Sequence, residues 1–495
     1  MLQPDSYDIV PFERQRVVHL TAEYWPFART GGLAEAVRGL AEYQVRVGQD
    51  VAIVMPLYRS VREHTDRLSP VTERFTVPIG DHVENARVYR YTGTDSGVRV
   101  FFVENDVHFN REGLYGTEYG DYPDNLRRCA FLCRAALQVL PTLVPNAAIL
   151  HAHDWHTALS MPYLRYSFAG QPFYDRLGAV LSVHNAAYQG HFPDVALSAV
   201  GLPPSMYDWR IMEWYGRMNV LKGGLSFTDL ATTVSPTHAA ELRTPGGGFG
   251  LHDHFIGLGD RFVGVLNGID YVIWDPGEDR EITAQYTVDH LAPKRGCKTA
   301  LQRAYGLPRR ARTPVFVMSA RLVEQKGFDL VLEPGLLAQF DAQFIFLGRG
   351  DLRYERLLSE LASTLPDRVK VPLTFTERLE HRLLAGADLL LMPSQFEPCG
   401  LTQMRAQRYG VLPLARRVGG LSDTIADGET GFLFDEYRPT GLARALRRAI
   451  VQYQDREAWT ALMTKAMRQD FSWGPSASRY QELYHRASAR ARRQR

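Results

Sequence analysis

Residues 388–410 read DLLLMPSQFEPCGLTQMRAQRYG. The apolar run in DLLLMPS stops at a proline, a short polar turn follows, and from Leu401 the chain reads as a helix. Within the turn, Pro398 confines Glu397 to extended backbone, so its carboxylate leaves the strand end at a fixed place. Gly400, Leu401 and Thr402 open the helix, where the first N–H groups have no intrahelical acceptor and the dipole favours an anion. A segment that only capped a helix would have no use for that carboxylate. Strand, turn and helix together point to an α/β fold whose ligand carries both hydroxyls and negative charge.

The same rhythm extends outward. VLPLARR (411–417) follows, and VFVMSAR (315–321) and QFIFLGR (343–349) precede, each separated by longer stretches of helical period. Before the Pro/Arg-rich connector LPRRARTP (307–314) the pattern recurs in RVVHLTA (16–22), DVAIVMP (50–56), VRVFFVE (98–104), AAILHAH (147–153) and AVLSVHN (179–185). Such alternation gives parallel sheets with crossover helices, and 495 residues exceed what one hydrophobic core organises. The expected architecture is two doubly wound, Rossmann-like domains with ligands at the carboxyl ends of their strands, in a cleft between.

Composition narrows the function. Lys+Arg 57 against Asp+Glu 55 leaves a net charge of +2, so no nucleic acid or other polyanion is called for. Nowhere do about 18 apolar residues run together, and MLQPDSYDIVPFERQR lacks the apolar stretch of a signal peptide, so the chain reads as cytoplasmic with no membrane partner. Of the four cysteines, Cys129 and Cys133 sit on one predicted helix while Cys297 and Cys399 are isolated, a pattern of free thiols. The basic ending HRASARARRQR reads as a solvated helix end. Nothing in the sequence sets the oligomeric state.

Other strand ends carry further polar groups. After the first strand, Arg29-Thr30-Gly31-Gly32 make a turn before a helix, which suits a diphosphate, although a Gly pair there is also simply a tight turn. HAHDWH (151–156) places three histidines with Asp154 where a strand becomes a helix. Zinc favours other spacings, so Asp154 is read as an acceptor for hydroxyls, with a ligand-free strand end as the bland alternative and no metal assigned. His184 and Asn185 emerge in VHNAAYQGHF. In SARLVEQKG, Arg321 and Lys326 can neutralise a diphosphate beside the Gly-rich LGRGD (347–351), with solvated surface charge as the alternative. RTPGGGFG (243–250) reads as a mobile loop. RTGGLAEA and RVGGLSDT echo each other, as two related halves would.

Taken in order, RTGGL, HAHDWH, VHNAAYQG, NVLKGG, TTVSPT, GVLNGID, SARLVEQKG, GADLLLMPSQFEPCGLTQ and RVGGLSDT resemble the bacterial glycogen synthase and plant starch synthase family over about residues 16–484. The resemblance implies a GT-B fold with domains at 1–265 and 266–472, and a helix in 473–495 that returns to the first domain. It implies retaining transfer of glucose from ADP-glucose to the non-reducing end of an α-1,4-glucan, with no metal and no cofactor. His184 and Glu397 would contact the donor glucose, Arg321 and Lys326 the diphosphate, and Phe375 the adenine. Arg29, Gly31, Gly32, Asp154, Asn185, Asn267, Cys399, Gly400, Leu401 and Thr402 would line the same pocket. Three positions depart from the family pattern: Arg29 stands for Lys, Glu35 for a common Asp, and Phe375 where relatives often have Tyr. A GT-B transferase using UDP-glucose or a small acceptor is the alternative, and a non-catalytic glucan-binding protein the alternative of another class.

Overall fold

A computed structural model describes residues 15–93, 96–194 and 196–493. The segment read for a signal peptide lies outside these residues through position 14, as do the last two residues of the basic tail. The chain forms two compact units. One comprises Met1–Val234, Ala239–Leu266 and Trp473–Arg495, the other Ser235–His238 and Asn267–Ser472.

The first unit is built on a ten-stranded sheet. Its strands are β1 (Arg16–Leu20), β2 (Asp50–Pro56), β3 (Leu68–Pro70), β4 (Phe75–Ile79), β5 (His82–Tyr91), β6 (Arg99–Glu104), β7 (Ile149–His153), β8 (Gly178–Val183), β9 (Leu230–Thr233) and β10 (Phe262–Gly264). The order is β10-β9-β8-β7-β1-β2-β6-β5-β3, with β4 on β5. From β10 to β6 every pairing is parallel, as between Val17 and both Val51 and Ile149. In β1, Val17, Val18, His19 and Leu20 are all buried, which requires helices on both faces. Strands β3 to β5 are antiparallel, and β5 alternates buried Ala86 and Val88 with more open neighbours, as a strand with one wet face does.

Two glycines admit the C-terminal helix, Trp473–Arg493. A Cβ on Gly39 would lie 2.0 Å from the Trp473 indole nitrogen, and one on Gly178 would lie 2.9 Å from the backbone of Ser488. The helix therefore sinks Trp473, Tyr480, Leu483, Tyr484 and Ala487 against the first unit at helical spacing. No helix among the described residues is long and apolar enough to cross a membrane. RTPGGGFG, expected to be mobile, is instead a folded turn: Gly248 N–H donates to Thr244 O at 2.8 Å, and the Trp214 indole donates to Gly250 O at 3.1 Å.

The second unit carries a six-stranded parallel sheet. Its strands are β11 (Val315–Ser319), β12 (Gln343–Leu347), β13 (Val369–Lys370), β14 (Leu389–Met392), β15 (Leu412–Arg416) and β16 (Phe432–Phe434), ordered β13-β12-β11-β14-β15-β16. Both faces are covered around Phe316, Phe344, Leu389, Leu414 and Phe432.

Strand order locates the functional edges. In the first unit the chain runs from β1 outward through β2 and β6, then returns to the other side of β1 with β7. In the second it runs from β11 through β12 to β13, then returns beside β11 with β14. At each reversal the following loops diverge and leave a crevice at the carboxyl ends of the two central strands. Those ends carry RTGG and HAHDWH in one unit, SARLVEQKG and PSQFEPCGL in the other.

Candidate functional site

In the first unit, the buried Glu23 at the end of β1 organises the turn after it. Its carboxylate accepts from Thr30 N–H at 2.7 Å, Thr30 Oγ1 at 2.6 Å and the Tyr115 hydroxyl at 2.8 Å. The turn then feeds the helix Gly32–Arg46. Gly31 has φ −160°, which any residue adopts, and a Cβ placed there would meet nothing within 4 Å. Arg29 lies over the Trp25 ring at 4.8 Å and donates to Glu35 at 2.8 Å. Two of the positions that depart from the family pattern are thus partners in one ion pair.

Asp154, one residue past β7, has φ +58°. That left-handed turn sends its carboxylate sideways to β8, where Oδ1 accepts from His184 N–H at 2.7 Å and Asn185 N–H at 3.4 Å. Burial pushes Asp154 up to about 7, against the pull of these N–H groups and with help from the nearby Glu23 charge. The carboxylate expected to meet hydroxyls also holds the backbone of the next strand end. His184 follows β8 directly, with Nε2 3.0 Å from His153 Nδ1, and burial pushes it down to about 3, so the ring is neutral. The Asn185 side chain caps its own turn, accepting from Ala187 N–H at 3.0 Å.

In the second unit, Glu397 is 7% exposed, and its Oε2 accepts from Lys326 Nζ at 2.6 Å and Ser394 Oγ at 3.1 Å. Two neighbouring loops are zipped together behind this pair. Gln395 N–H donates to Gln325 O at 2.8 Å, and the Gln325 amide returns to Phe396 O at 3.0 Å. Gly327, at φ +77°, must be glycine, because a Cβ would lie 2.1 Å from Pro393 O. From the other side, Gly420 N–H donates to Glu397 O at 3.1 Å, and a Cβ on Gly419 would lie 2.0 Å from that same oxygen. The pair Gly419–Gly420 is what lets the backbone of Glu397 be gripped. Arg321 is exposed, with no side-chain partner among the described residues.

Cys399 is buried, its thiol pushed up to about 12 by desolvation and turned to the backbone of Asn267. It ties those two predicted residues together beneath the turn. Leu401 precedes the helix Thr402–Arg408, and Gly400 has φ +72°. Phe375 stands apart on the loop before the helix Glu377–Gly386, 42% exposed. Sequence reading missed Glu23, Ser394 and Gln325: Glu23 and Gln325 reach partners 92 and 71 positions away, while Ser394 bonds Glu397 three residues on; the carboxylate at the end of β1 was the one visible signal.

Among the described residues, one group has metal-ligand proximity: His19, His151 and His153, with nitrogens within 4.8 Å. All three are buried and no carboxylate belongs to the group; His19 lies 3.0 Å from His153 and 2.9 Å from Gln44, and His151 lies 2.9 Å from Tyr484 and 2.6 Å from Ser182. A divalent cation taking one nitrogen from each ring would displace one hydrogen bond of each and bring charge into the core with no counter-charge in the group, so the donor set does not fit a metal.

Residues 16–256 match the model of the starch synthase catalytic domain, and residues 306–464 that of glycosyl transferases group 1. Glycogen synthase 2 of Geobacter sulfurreducens is 40% identical over 480 residues, covering 96% of this chain and 99% of that one. Glycogen synthase of Anaeromyxobacter dehalogenans is 42% identical over 477 residues, covering 95% and 98%. Among solved structures, the catalytic domain of starch synthase IV from Arabidopsis thaliana, bound to ADP and acarbose, superimposes with a TM-score of 0.88 at 33% identity, covering 96% of this chain and 99% of that one. Sucrose-phosphate synthase of Thermosynechococcus elongatus, at 17% identity and a TM-score of 0.63, shares the fold. With relatives about 40% identical along nearly its whole length, the chain belongs to the glycogen and starch synthase family of GT-B glycosyltransferases.

Proposed function

We propose that the chain transfers glucose from ADP-glucose to the non-reducing end of an α-1,4-glucan, with retention and without metal, and that it works in the cytoplasm, in keeping with its four free thiols. The observation that carries this reading is the Glu397 carboxylate held between Lys326 and Ser394, with the exposed Arg321 five residues before Lys326 in the chain. A carboxylate paired with an ammonium is ionised and accepts hydrogen bonds only, so it orients sugar hydroxyls. Lys326 supplies a point charge and Arg321 a planar fork, which together offset the charge that develops on a departing diphosphate. His184 and Asp154 in the other unit contribute a neutral imidazole and a fixed strand end, whose carbonyl suits the positive charge developing on the sugar. Gly31 and Gly32 admit the diphosphate closely, Arg29 adds a cation, and Phe375 offers a ring for adenine. Asn185 in the first unit, and Asn267, Cys399, Gly400, Leu401 and Thr402 in the second, are the further residues of this reading.

Retention then follows from attack by the acceptor hydroxyl on the face that the diphosphate leaves, with rate drawn from orientation and charge stabilisation. The test is incubation of purified protein with glycogen and either ADP-glucose or UDP-glucose, following nucleotide release and glucose incorporation. Incorporation chiefly from ADP-glucose supports the proposal. Preference for UDP-glucose, or nucleotide release without polymer growth, assigns a different transfer to the same fold, and silence with both donors leaves glucan binding alone.

A further inference from the structure

Behind His184 runs an unbroken chain of hydrogen bonds. His184 Nε2 is 3.0 Å from His153 Nδ1, and His153 Nε2 is 3.0 Å from His19 Nδ1. His19 Nε2 is 2.9 Å from the amide oxygen of Gln44, whose amide nitrogen donates to the Tyr484 hydroxyl at 3.1 Å. Tyr484 continues to His151 Nδ1 at 2.9 Å, and His151 Nε2 lies 2.6 Å from Ser182 Oγ. Apart from His184, which is partly open, every member is buried.

With the Gln44 amide oxygen turned to His19 and its nitrogen to Tyr484, the chemistry of the chain fixes its protons. Desolvation holds all four imidazoles neutral, so each has one N–H and one lone pair. An amide oxygen can only accept, so His19 donates to Gln44 through Nε2 and its Nδ1 is an acceptor. His153 must then donate through Nε2, which leaves its Nδ1 to accept from His184. His184 in turn carries its proton on Nε2, and its Nδ1 is a bare lone pair. The far end follows in the same sense from the same amide orientation. Tyr484 accepts from the Gln44 amide, so its own proton goes to His151, which passes its Nε2–H to Ser182. Turning the Gln44 amide over would require reversing every proton in the chain.

We propose that Gln44 and Tyr484 are positioning residues which, through His19 and His153, fix His184 as the Nε2–H tautomer with Nδ1 as an acceptor. One consequence rests on the reading of His184 as a donor-glucose contact: the side chain accepts from a sugar hydroxyl and is no proton donor to the leaving group. A second is that the C-terminal helix, through Tyr484, takes part in setting the state of a residue at the end of β8.

Ring-¹⁵N histidine labelling tests this, with the His184 signals assigned by their loss in His184→Asn. The wild-type protein is expected to show protonated Nε2 and unprotonated Nδ1 at His184. Gln44→Met, which removes the acceptor at similar volume, is expected to give a mixture of tautomers and to raise the KM for ADP-glucose about tenfold, as for one mis-set hydrogen bond. Tyr484→Phe, the milder change, frees the amide to turn and is expected to shift the tautomers in the same direction. A protonated Nδ1 in the wild type, or an unaltered His184 signal in both variants, overturns the proposal, whatever their thermal stability. Tautomers that shift with no change in KM uphold the chain and count instead against the donor contact of His184.

Discussion

Replacing Lys326 by Met keeps most of the stem and removes the ammonium that faces Glu397 at 2.6 Å. The side chains are 18% and 9% exposed, so the carboxylate cannot recover its hydration without moving, and Ser394 is left as its remaining described side-chain partner. Breaking a buried pair costs 3–5 kcal/mol, and the slight opening at Lys326 argues for about 3. For a unit of this size that lowers the melting point by about 6–12 °C. Catalysis suffers separately: losing a fixed donor at a developing charge costs about 10²–10³ in kcat. Calorimetry with the ADP-release assay separates the two effects once Lys326→Met/Glu397→Gln is added. The double variant leaves no buried charge, and its stability should return to within about 1 kcal/mol of wild type while its activity stays low. A single variant melting within a degree of wild type would show that solvent screens the pair. A double variant that regained turnover would refute the charge role of Lys326.

Gly419→Ala presses a Cβ to 2.0 Å from Glu397 O, while Gly428→Ala, also at positive φ, meets nothing within 4 Å; kcat should fall about a hundredfold in the first and hold in the second, though both lose about 1 kcal/mol or more in urea titrations. Gly31→Ala should leave the melting point unchanged and raise the KM for ADP-glucose, and an unchanged KM would remove the turn from the donor site. His19, His151, His153 and His184 are all held below their ordinary value by burial, so the unfolded chain takes up protons first: stability is full above pH 6.5 and falls as pH drops toward the folded-state values, by about 5 kcal/mol per unit near pH 5 for four such groups. A urea midpoint that stays level between pH 7 and 5 would contradict this. The Arg29–Glu35 pair is about a quarter exposed, so a cycle through Arg29→Lys and Glu35→Asp should give a coupling of under about 1 kcal/mol, with Arg29→Lys retaining transfer from ADP-glucose; a larger coupling would make the pair structural.

The nine runs quoted from the sequence all became central parallel strands, because a strand buried on both faces must be apolar throughout and so stands out from its helices. The antiparallel strands β3 to β5, the two-residue β13 and the three-residue β10 and β16 have too few residues, or too mixed a pattern, to rise above their loops. Candidate site residues were legible for a related reason: a loop that leaves the carboxyl end of a strand at a reversal of strand order is where polar ligand-binding groups gather. Partnership was not legible. Glu23 reaches Tyr115 across 92 positions and Lys326 reaches Glu397 across 71, and no local pattern encodes such pairs. The HAHDWH histidines show the limit best, since their spacing invited a question about metal whose answer lies with Gln44, Tyr484 and Ser182 on other elements.

The echo between RTGGL and RVGGL bears on how the two units came to differ. Each Gly-Gly opens a helix, Gly32–Arg46 in one and Gly419–Thr424 in the other. In the first, the turn is gripped one residue earlier, at Thr30 by Glu23, and the space before Gly31 is open. In the second, the glycines themselves are the grip, pressed on the carbonyls of Glu397 and Cys399. On the proposed function, glycine leaves room for an approaching ligand in one case, whereas in the other it admits an approaching backbone. Likeness of motif therefore does not carry likeness of role: Gly31 should fail in binding and Gly419 in folding the site, and the two alanine variants separate these by KM against kcat.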